Sequence, residues 1–172
     1  MDVRKEDEGV PVKNPTSAER KSGRELEVTR IVNGPVHLVF AAWTRAELFR
    51  RWWVPKSFGL TLLSCEMDVR VGGQYRLVFS HEGSTMDFFG TYLEVIPNAR
   101  LVWTNEEGDG MTVTTVSFEA KESKTLVTVH DLYPSEEALD AAIASGSTGG
   151  LPDQLDQLDE LLGSGELSGV AE

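Results

Sequence analysis

The stretch LPDQLDQLDELL, residues 151–162, decides the fold class of this chain. Its leucines recur at helical spacing: Leu151, Leu155, Leu158 and Leu162. Its acids fall largely elsewhere on the helical wheel: Asp153, Asp156, Asp159 and Glu160. The segment therefore predicts an amphipathic helix whose leucine stripe must be buried against another element and whose acids form, most simply, a solvated face.

The surface that receives this helix is predicted by seven runs rich in Val, Thr, Phe, Tyr and Trp. They cover residues 24–32, 61–70, 73–80, 85–96, 100–106, 111–120 and 125–133. Short turn-forming segments separate most of them, so we expect neighbouring strands to pair antiparallel. In the sixth run the apolar positions change phase, which predicts a bulge near Thr114 and Thr115.

Two short helices are predicted between the first and second runs. One follows Gly34-Pro35, and the second begins at Thr44, where Thr44 and Glu47 have the spacing of a capping box. A third short helix is predicted after Ser135, ending near Ala144. Together the elements indicate an α+β fold in which one curved antiparallel sheet of about seven strands wraps the long C-terminal helix. One helix is too narrow to fill such a concave face, so a cavity between helix and sheet is expected.

Outside this pattern the chain is polar. Residues 1–23 have no apolar periodicity and are predicted to be a disordered leader. The predicted domain covers residues 24–163, and residues 164–172 are predicted to be a flexible tail.

The composition is that of a soluble globular protein, with 40% hydrophobic and 26% charged residues. No apolar run approaches the roughly 20 residues that cross a bilayer, and the charged N-terminus does not resemble a signal peptide. Cys65 is the only cysteine, which excludes an internal disulfide. We therefore predict a cytoplasmic location.

The charge distribution narrows the possible partners. The net charge is −12, and the last 39 residues contain nine acids and no base. An acidic surface repels phosphate backbones and anionic lipids, so we expect neither nucleic acid nor a membrane as a partner.

No catalytic or metal-binding motif is present in the sequence. The histidines His37, His81 and His130 have no metal-ligand spacing, and no nucleophile motif occurs. We therefore predict no metal, no cofactor and no assigned catalytic residue, and favour a protein that is not an enzyme. His130, in the middle of a predicted strand, is the histidine that could face a cavity.

Several segments, in this order, resemble one known family. They are Gly34-Pro35, Ala42-Trp43-Thr44, and residues 48–55, 68–76, 90–97 and 100–104. Over about residues 24–162 the chain is similar to the homologues of the activator of the heat-shock-chaperone ATPase, within the START-like, helix-grip (SRPBCC) superfamily. The resemblance implies a helix-grip fold with a central apolar cavity. Residues 147–151, STGGL, lack the aromatic residue with which the family's last helix often opens.

The cavity points to a set of candidate ligand-binding residues, which are mostly aromatic. Trp53 and Phe58 flank the predicted mouth, and the remaining candidates lie on strands. The full set is Trp53, Phe58, Tyr75, Phe79, Phe88, Tyr92, Trp103 and His130.

Three functions remain open at this point. The first is a carrier or sensor that encloses a small hydrophobic or aromatic molecule, as a monomer or homodimer. The second is an accessory module that contacts a chaperone or another protein, which an exposed apolar patch beside the acidic helix would favour. The third is a cyclase-type enzyme, which a buried His130 meeting a second polar group in the cavity would favour.

Overall fold

The computed structural model describes residues 14–108 and 110–167. It contains one antiparallel sheet of eight strands in the order β1-β2-β8-β7-β6-β5-β4-β3. The strands are β1 (Ser17–Ser22), β2 (Glu25–Val32), β3 (Thr61–Met67), β4 (Gln74–His81), β5 (Ser84–Ile96), β6 (Arg100–Gly108), β7 (Gly110–Lys121) and β8 (Lys124–Leu132). Seven of these strands match the seven predicted runs.

The described residues also form four α-helices, α1 (Val36–Thr44), α2 (Ala46–Phe49), α3 (Glu136–Ser145) and α4 (Leu151–Gly163), and two short 3-10 helices, Lys56–Phe58 and Ser147–Gly150. Helices α1 and α2 connect β2, near one edge of the sheet, to β3 at the opposite edge. Helix α4 packs against β2 and α1. The predicted class is confirmed, because a curved antiparallel sheet encloses the C-terminal helix in a helix-grip arrangement.

The core lies between the inner face of the sheet and the helices. Leu155 and Leu158 of the predicted stripe are fully buried there. The centre of the core is an aromatic cluster in which Trp43 contacts rings from α2, the segment after it, β6 and β7. Such burial of large rings stabilises the closed grip and fixes the position of α1 over the sheet.

Strand β1 is absent from the sequence-based prediction, which placed residues 17–22 in a disordered leader. The strand pairs antiparallel with β2, with Ser17 opposite Thr29 and Ser22 opposite Glu25. All six of its residues are exposed, so no apolar alternation marks the strand in the sequence. Residues 1–13 of the predicted leader lie outside the described residues.

Two local predictions are wrong. The hydroxyl of Thr44 donates to the carbonyl of Phe40 within α1 and caps no second helix. Strand β7 pairs with β6 and β8 without a bulge at Thr114 and Thr115. The apparent change of phase arises because Thr114, although polar, occupies a buried position on the inner face.

The prediction of a fully solvated acidic face on α4 is also wrong. Arg30 is buried on the inner side of β2, and its guanidinium pairs with Asp156 at 2.5 Å and with Asp159 at 2.5 Å. The other oxygen of Asp159 accepts the backbone N–H of Asn33 at 2.7 Å. These two acids therefore hold the helix on the sheet.

The end of the described chain also differs from the predicted flexible tail. Leu167 is buried in the hydrophobic core, and Arg51 forms an ion pair with Glu166. Residues 168–172 lie outside the described residues.

Candidate ligand-binding cavity

A cavity of about 410 Å³ lies between the inner face of the sheet and the helices. This volume falls within the range of about 300–1,000 Å³ that is typical of small-molecule sites. The strands contribute mostly apolar side chains: Leu26, Val28, Phe79, Phe88, Trp103 and Val129. The helical side contributes Trp53, Pro55, Phe58, Leu60, Ala142, Leu151 and Gln154. The walls are therefore predominantly apolar and aromatic.

A smaller cavity of about 60 Å³ shares four residues with the first, namely Trp53, Phe88, Trp103 and Asn105. It extends towards Trp43 and the aromatic cluster. The indole N–H of Trp43 is buried and has no hydrogen-bond partner among the described residues. Trp43 itself lines this smaller cavity, whose other walls are mostly aromatic and apolar.

A row of paired residues crosses the inner face of the sheet and forms one wall. In this row Tyr92 lies opposite Trp103, Trp103 opposite Thr114, and Thr114 opposite Asp131. Leu26 of β2 lies opposite Asp131 and ends the row. Strand register thus places a polar pair, Thr114 and Asp131, among apolar side chains.

Hydrogen bonds connect this polar pair to Tyr75 through Asn105. The Tyr75 hydroxyl lies 3.1 Å from Oδ1 of Asn105 and 2.8 Å from the carbonyl of Thr104. The Asn105 amide donates to Oγ1 of Thr114 at 2.9 Å, and that hydroxyl donates to Oδ1 of Asp131 at 2.5 Å. The donors all point along the network towards Asp131, so the carboxylate is its terminal acceptor.

Burial shifts the pKa values of the two ionisable side chains on this wall, Asp131 and Tyr133. Burial raises the pKa of Asp131 above its ordinary value, an effect that the hydrogen bond from Thr114 and the nearby His130 partly oppose. Burial, and secondly the charge of Asp131, raises the pKa of the Tyr133 hydroxyl to about 12. No Lys, Arg or His is among the described residues that line either cavity.

Two glutamines of α4 attach the segment after α2 to the helix, beside the cavity. The Gln157 amide donates to the carbonyls of Trp52 and Val54, at 2.8 Å each, and its oxygen accepts the N–H of Lys56 at 2.9 Å. The Gln154 amide donates to the carbonyl of Trp53. These bonds satisfy backbone groups that no regular element pairs, and they fix Trp53 at the cavity.

The ring of Phe58 occupies the other side of the mouth. A Cβ at Gly150 would lie 3.0 Å from the Phe58 ring and 3.1 Å from Pro55. The absence of a side chain at Gly150 therefore lets the segment after α2 pack closely on the start of α4. Phe58 therefore lines the mouth beside residues 147–151, STGGL, which contain no aromatic residue.

Strand β5 changes partner at Gly90. Its first half pairs with β4 and its second half with β6. A Cβ at Gly90 would lie 1.8 Å from the carbonyl oxygen of Thr104, so only glycine fits where β5 and β6 meet. The Thr91 N–H then bonds the Thr104 hydroxyl at 2.9 Å in place of a strand partner. The close approach of β5 and β6 at this point therefore depends on glycine.

Seven of the eight candidate residues line one or both cavities. Phe58 and Phe79 line the larger cavity, Tyr75 and Tyr92 line the smaller one, and Trp53, Phe88 and Trp103 line both. His130 does not: it lies on the outer face of the sheet, 3.0 Å from the Glu25 carboxylate. Val127 and Val129 point to the inner face of β8, so His130, the next residue in the strand, points to the outer face.

The sequence-based selection missed the polar part of the site. Asn105, Thr114, Asp131 and Tyr133 line the larger cavity, and none was a candidate. For Asp131 a signal existed, because it continues the alternation of Val127 and Val129. Asn105 and Thr114 gave none, since polar strand residues are ordinarily expected on the solvent face.

The fold and cavity define a helix-grip protein, and comparison with known proteins places it more closely. The model of the family described as "Activator of Hsp90 ATPase homolog 1-like protein" matches residues 33–163, so the chain belongs to that family. A search of curated proteins finds none that matches the chain.

Solved structures give the same architecture. A protein from Nitrosomonas europaea is 26% identical with a TM-score of 0.76, the match covering 83% of this chain and 96% of that one. A protein from Rhodobacter sphaeroides is 24% identical with a TM-score of 0.80, covering 87% and 99%. Another, from Mycobacterium smegmatis, is 19% identical with a TM-score of 0.74, covering 87% and 99%.

A bilayer-spanning helix is not found in the part of the chain that the structure describes.

Proposed function

We propose that this protein binds a small hydrophobic or aromatic molecule in the cavity between the sheet and α4. The observation that carries the proposal is the cavity itself, which has aromatic walls and a small number of convergent polar groups. That combination is the usual form of a small-molecule site. The space of about 410 Å³ opens to solvent beside Phe58 and Phe88, and it is large enough to admit a small aromatic molecule.

The other two functions have less support from the contacts. A docking role was to be favoured by an apolar patch beside the acidic helix. The exposed apolar residue beside the start of α4 is Phe58, and its ring lines the cavity. Two acids of that helix are also paired with Arg30. The cyclase-type enzyme was to be favoured by a buried His130 in the cavity, and His130 lies on the outer face of the sheet.

The test is a titration followed by amide chemical shifts, preceded by native mass spectrometry of the purified protein. We use methylnaphthalene as the probe. The expected result is a retained adduct or saturable shifts centred on Trp53, Trp103 and Thr114. Shifts confined to the outer face, or neither an adduct nor shifts, would overturn the proposal.

A pair of variants on one strand assigns the shifts to the cavity. Val129 lines the cavity, and Thr128 lies on the opposite face of β8. Val129→Phe should fill part of the space and weaken methylnaphthalene binding by at least about tenfold, which is about 1.4 kcal/mol. Thr128→Phe should leave the affinity unchanged.

A further inference from the structure

We infer that the cavity selects an aromatic molecule bearing a neutral or cationic N–H or O–H group, which donates to Asp131, and that it rejects anions. This inference rests on the proposed function and names the chemical class of its ligand.

The first argument is the charge of the lining. Asp131 is the single ionisable carboxyl among the described lining residues of the larger cavity, and no described basic residue lines that cavity. A carboxylate ligand would therefore enter a mostly apolar space with no described cation to pair with, beside a group of its own sign. Uncompensated burial of a charge is among the most unfavourable terms in binding. A cationic ammonium would instead gain a partner.

The second argument is the direction of the hydrogen bonds. Thr114 donates to Oδ1 of Asp131, and its own lone pair accepts from Asn105. The Asn105 amide donates in addition to the carbonyl of Thr112 at 3.2 Å. Both donors of this amide are thus used, and no described residue donates to Oδ2 of Asp131. The hydrogen-bonding atom left without a described donor on this wall is therefore an acceptor, Oδ2 of Asp131, and a donor group on a ligand can bond to it.

The third argument is the ring surface around this acceptor. One residue, Thr114 of β7, lies between Trp103 and Asp131 across the sheet. Trp53 and Phe88 line the same cavity. Aromatic faces stack on a planar ligand and attract a cation close to them. A ligand ring between these side chains with its donor on Asp131 uses both features of the site at once.

The experiment compares four probes with one ring system and different head groups: naphthylmethylamine, naphthylmethanol, methylnaphthalene and naphthoate. Each is titrated into the full chain at neutral pH and followed by amide shifts. We expect the amine or the alcohol to bind at least about tenfold more tightly than methylnaphthalene, as one hydrogen bond to a charged group allows. We expect naphthoate to bind more weakly than all three. The ratio of amine to alcohol then separates a cationic from a neutral donor.

The variant Asp131→Asn keeps an acceptor for Thr114 and is expected to fold. It should remove the preference for the amine while leaving the affinity for methylnaphthalene unchanged. Glu119→Gln is the matched control, because Glu119 is exposed on β7 and its change removes the same charge away from the cavity. It should preserve the preference of the wild type.

The outcomes separate this inference from the function on which it rests. Equal affinities for all four probes, tightest binding of naphthoate, or an amine preference that persists in Asp131→Asn would overturn the ligand class while leaving a binding cavity. Failure of every probe to shift cavity amides would overturn both.

Discussion

At the scale of single residues, the site depends on a carboxyl group placed where a strand would ordinarily present an apolar side chain. Asp131 continues the inward alternation of Val127 and Val129. It lies opposite Leu26 of β2 and Thr114 of β7, and Trp103 is one strand further across the sheet. A buried carboxyl lowers stability unless its hydrogen bonds are made. Its only described side-chain donor is Thr114, so the wild-type fold retains a polar group that packing alone does not require.

The pH dependence of stability should reveal this group. Burial raises the pKa of Asp131, so the native state keeps a proton that the unfolded chain has released. The contribution of this proton to the free energy of unfolding is full below the pKa of Asp131 in the unfolded chain, about 4. It is lost as the pH rises through the pKa of Asp131 in the native state. Asp131→Asn does not titrate. Its free energy of unfolding minus that of wild type should therefore increase with pH above about 4.

The measurement is a series of urea unfolding curves for both proteins between acid and neutral pH. The groups near Asp131 are Tyr133, whose pKa is raised to about 12, and His130, on the opposite face of the strand. Tyr133 stays protonated throughout this range, and the charge of His130 opposes the effect of burial on the pKa of Asp131 without reversing it, so the expected sign of the difference is kept. A difference that stays constant across the series would show that Asp131 is ionised and solvated in the native state.

The same residues show what sequence reasoning could find and what it could not. Aromatic residues on alternating strand positions predicted most of the apolar lining, because large rings on the inner face must border the core or a cavity. The contacts among Tyr75, Asn105 and Thr114 could not be predicted, because they depend on the register of three strands. His130 was selected for its chemistry. Because it directly follows Val129, strand alternation would have placed it on the outer face of the sheet.

At the scale of elements, α4 is held to the sheet by ionic contacts as well as by its leucines. The guanidinium of Arg30 is almost completely buried, at 2% side-chain exposure, and Asp159 is 13% exposed. The sequence predicted the leucine stripe because helical periodicity is local. It could not predict the ion pairs, since Arg30 and Asp159 lie far apart in the chain and an acidic helix face ordinarily faces solvent.

We predict that Arg30→Met lowers the free energy of unfolding by about 3–5 kcal/mol, because it leaves the buried Asp159 carboxylate without its cation. Arg20→Met is the matched control. Arg20 also joins a strand to a helical aspartate, Asp140 at 2.7 Å, but those side chains are 35% and 58% exposed. That change should cost less than about 1 kcal/mol. Urea unfolding measures both, and similar losses would contradict a structural role for the buried pair.

At the scale of the whole molecule, the sheet is wider than the C-terminal helix that it encloses. The positions of seven strands along the chain were predictable, and β1, whose side chains are all exposed, was not. Strand alternation and helix periodicity together indicated a concave sheet and a covering helix, and therefore a cavity. Its polar wall follows from strand register, which has no local signature in the sequence: Thr114 and Asp131 meet because of how β7 pairs with β8.

The final prediction tests whether this space is present in the folded protein. Val127 and Val129 are both buried on the inner face of β8, but only Val129 is among the described residues lining the cavity. In a close-packed core, a larger side chain forces displacement and costs about 1–3 kcal/mol, which we expect for Val127→Phe. Val129→Phe gains room in the cavity and should change the free energy of unfolding by less than about 1 kcal/mol. Equal losses in urea unfolding would mean that the interior beside Val129 is filled, and the binding site would then have to lie elsewhere.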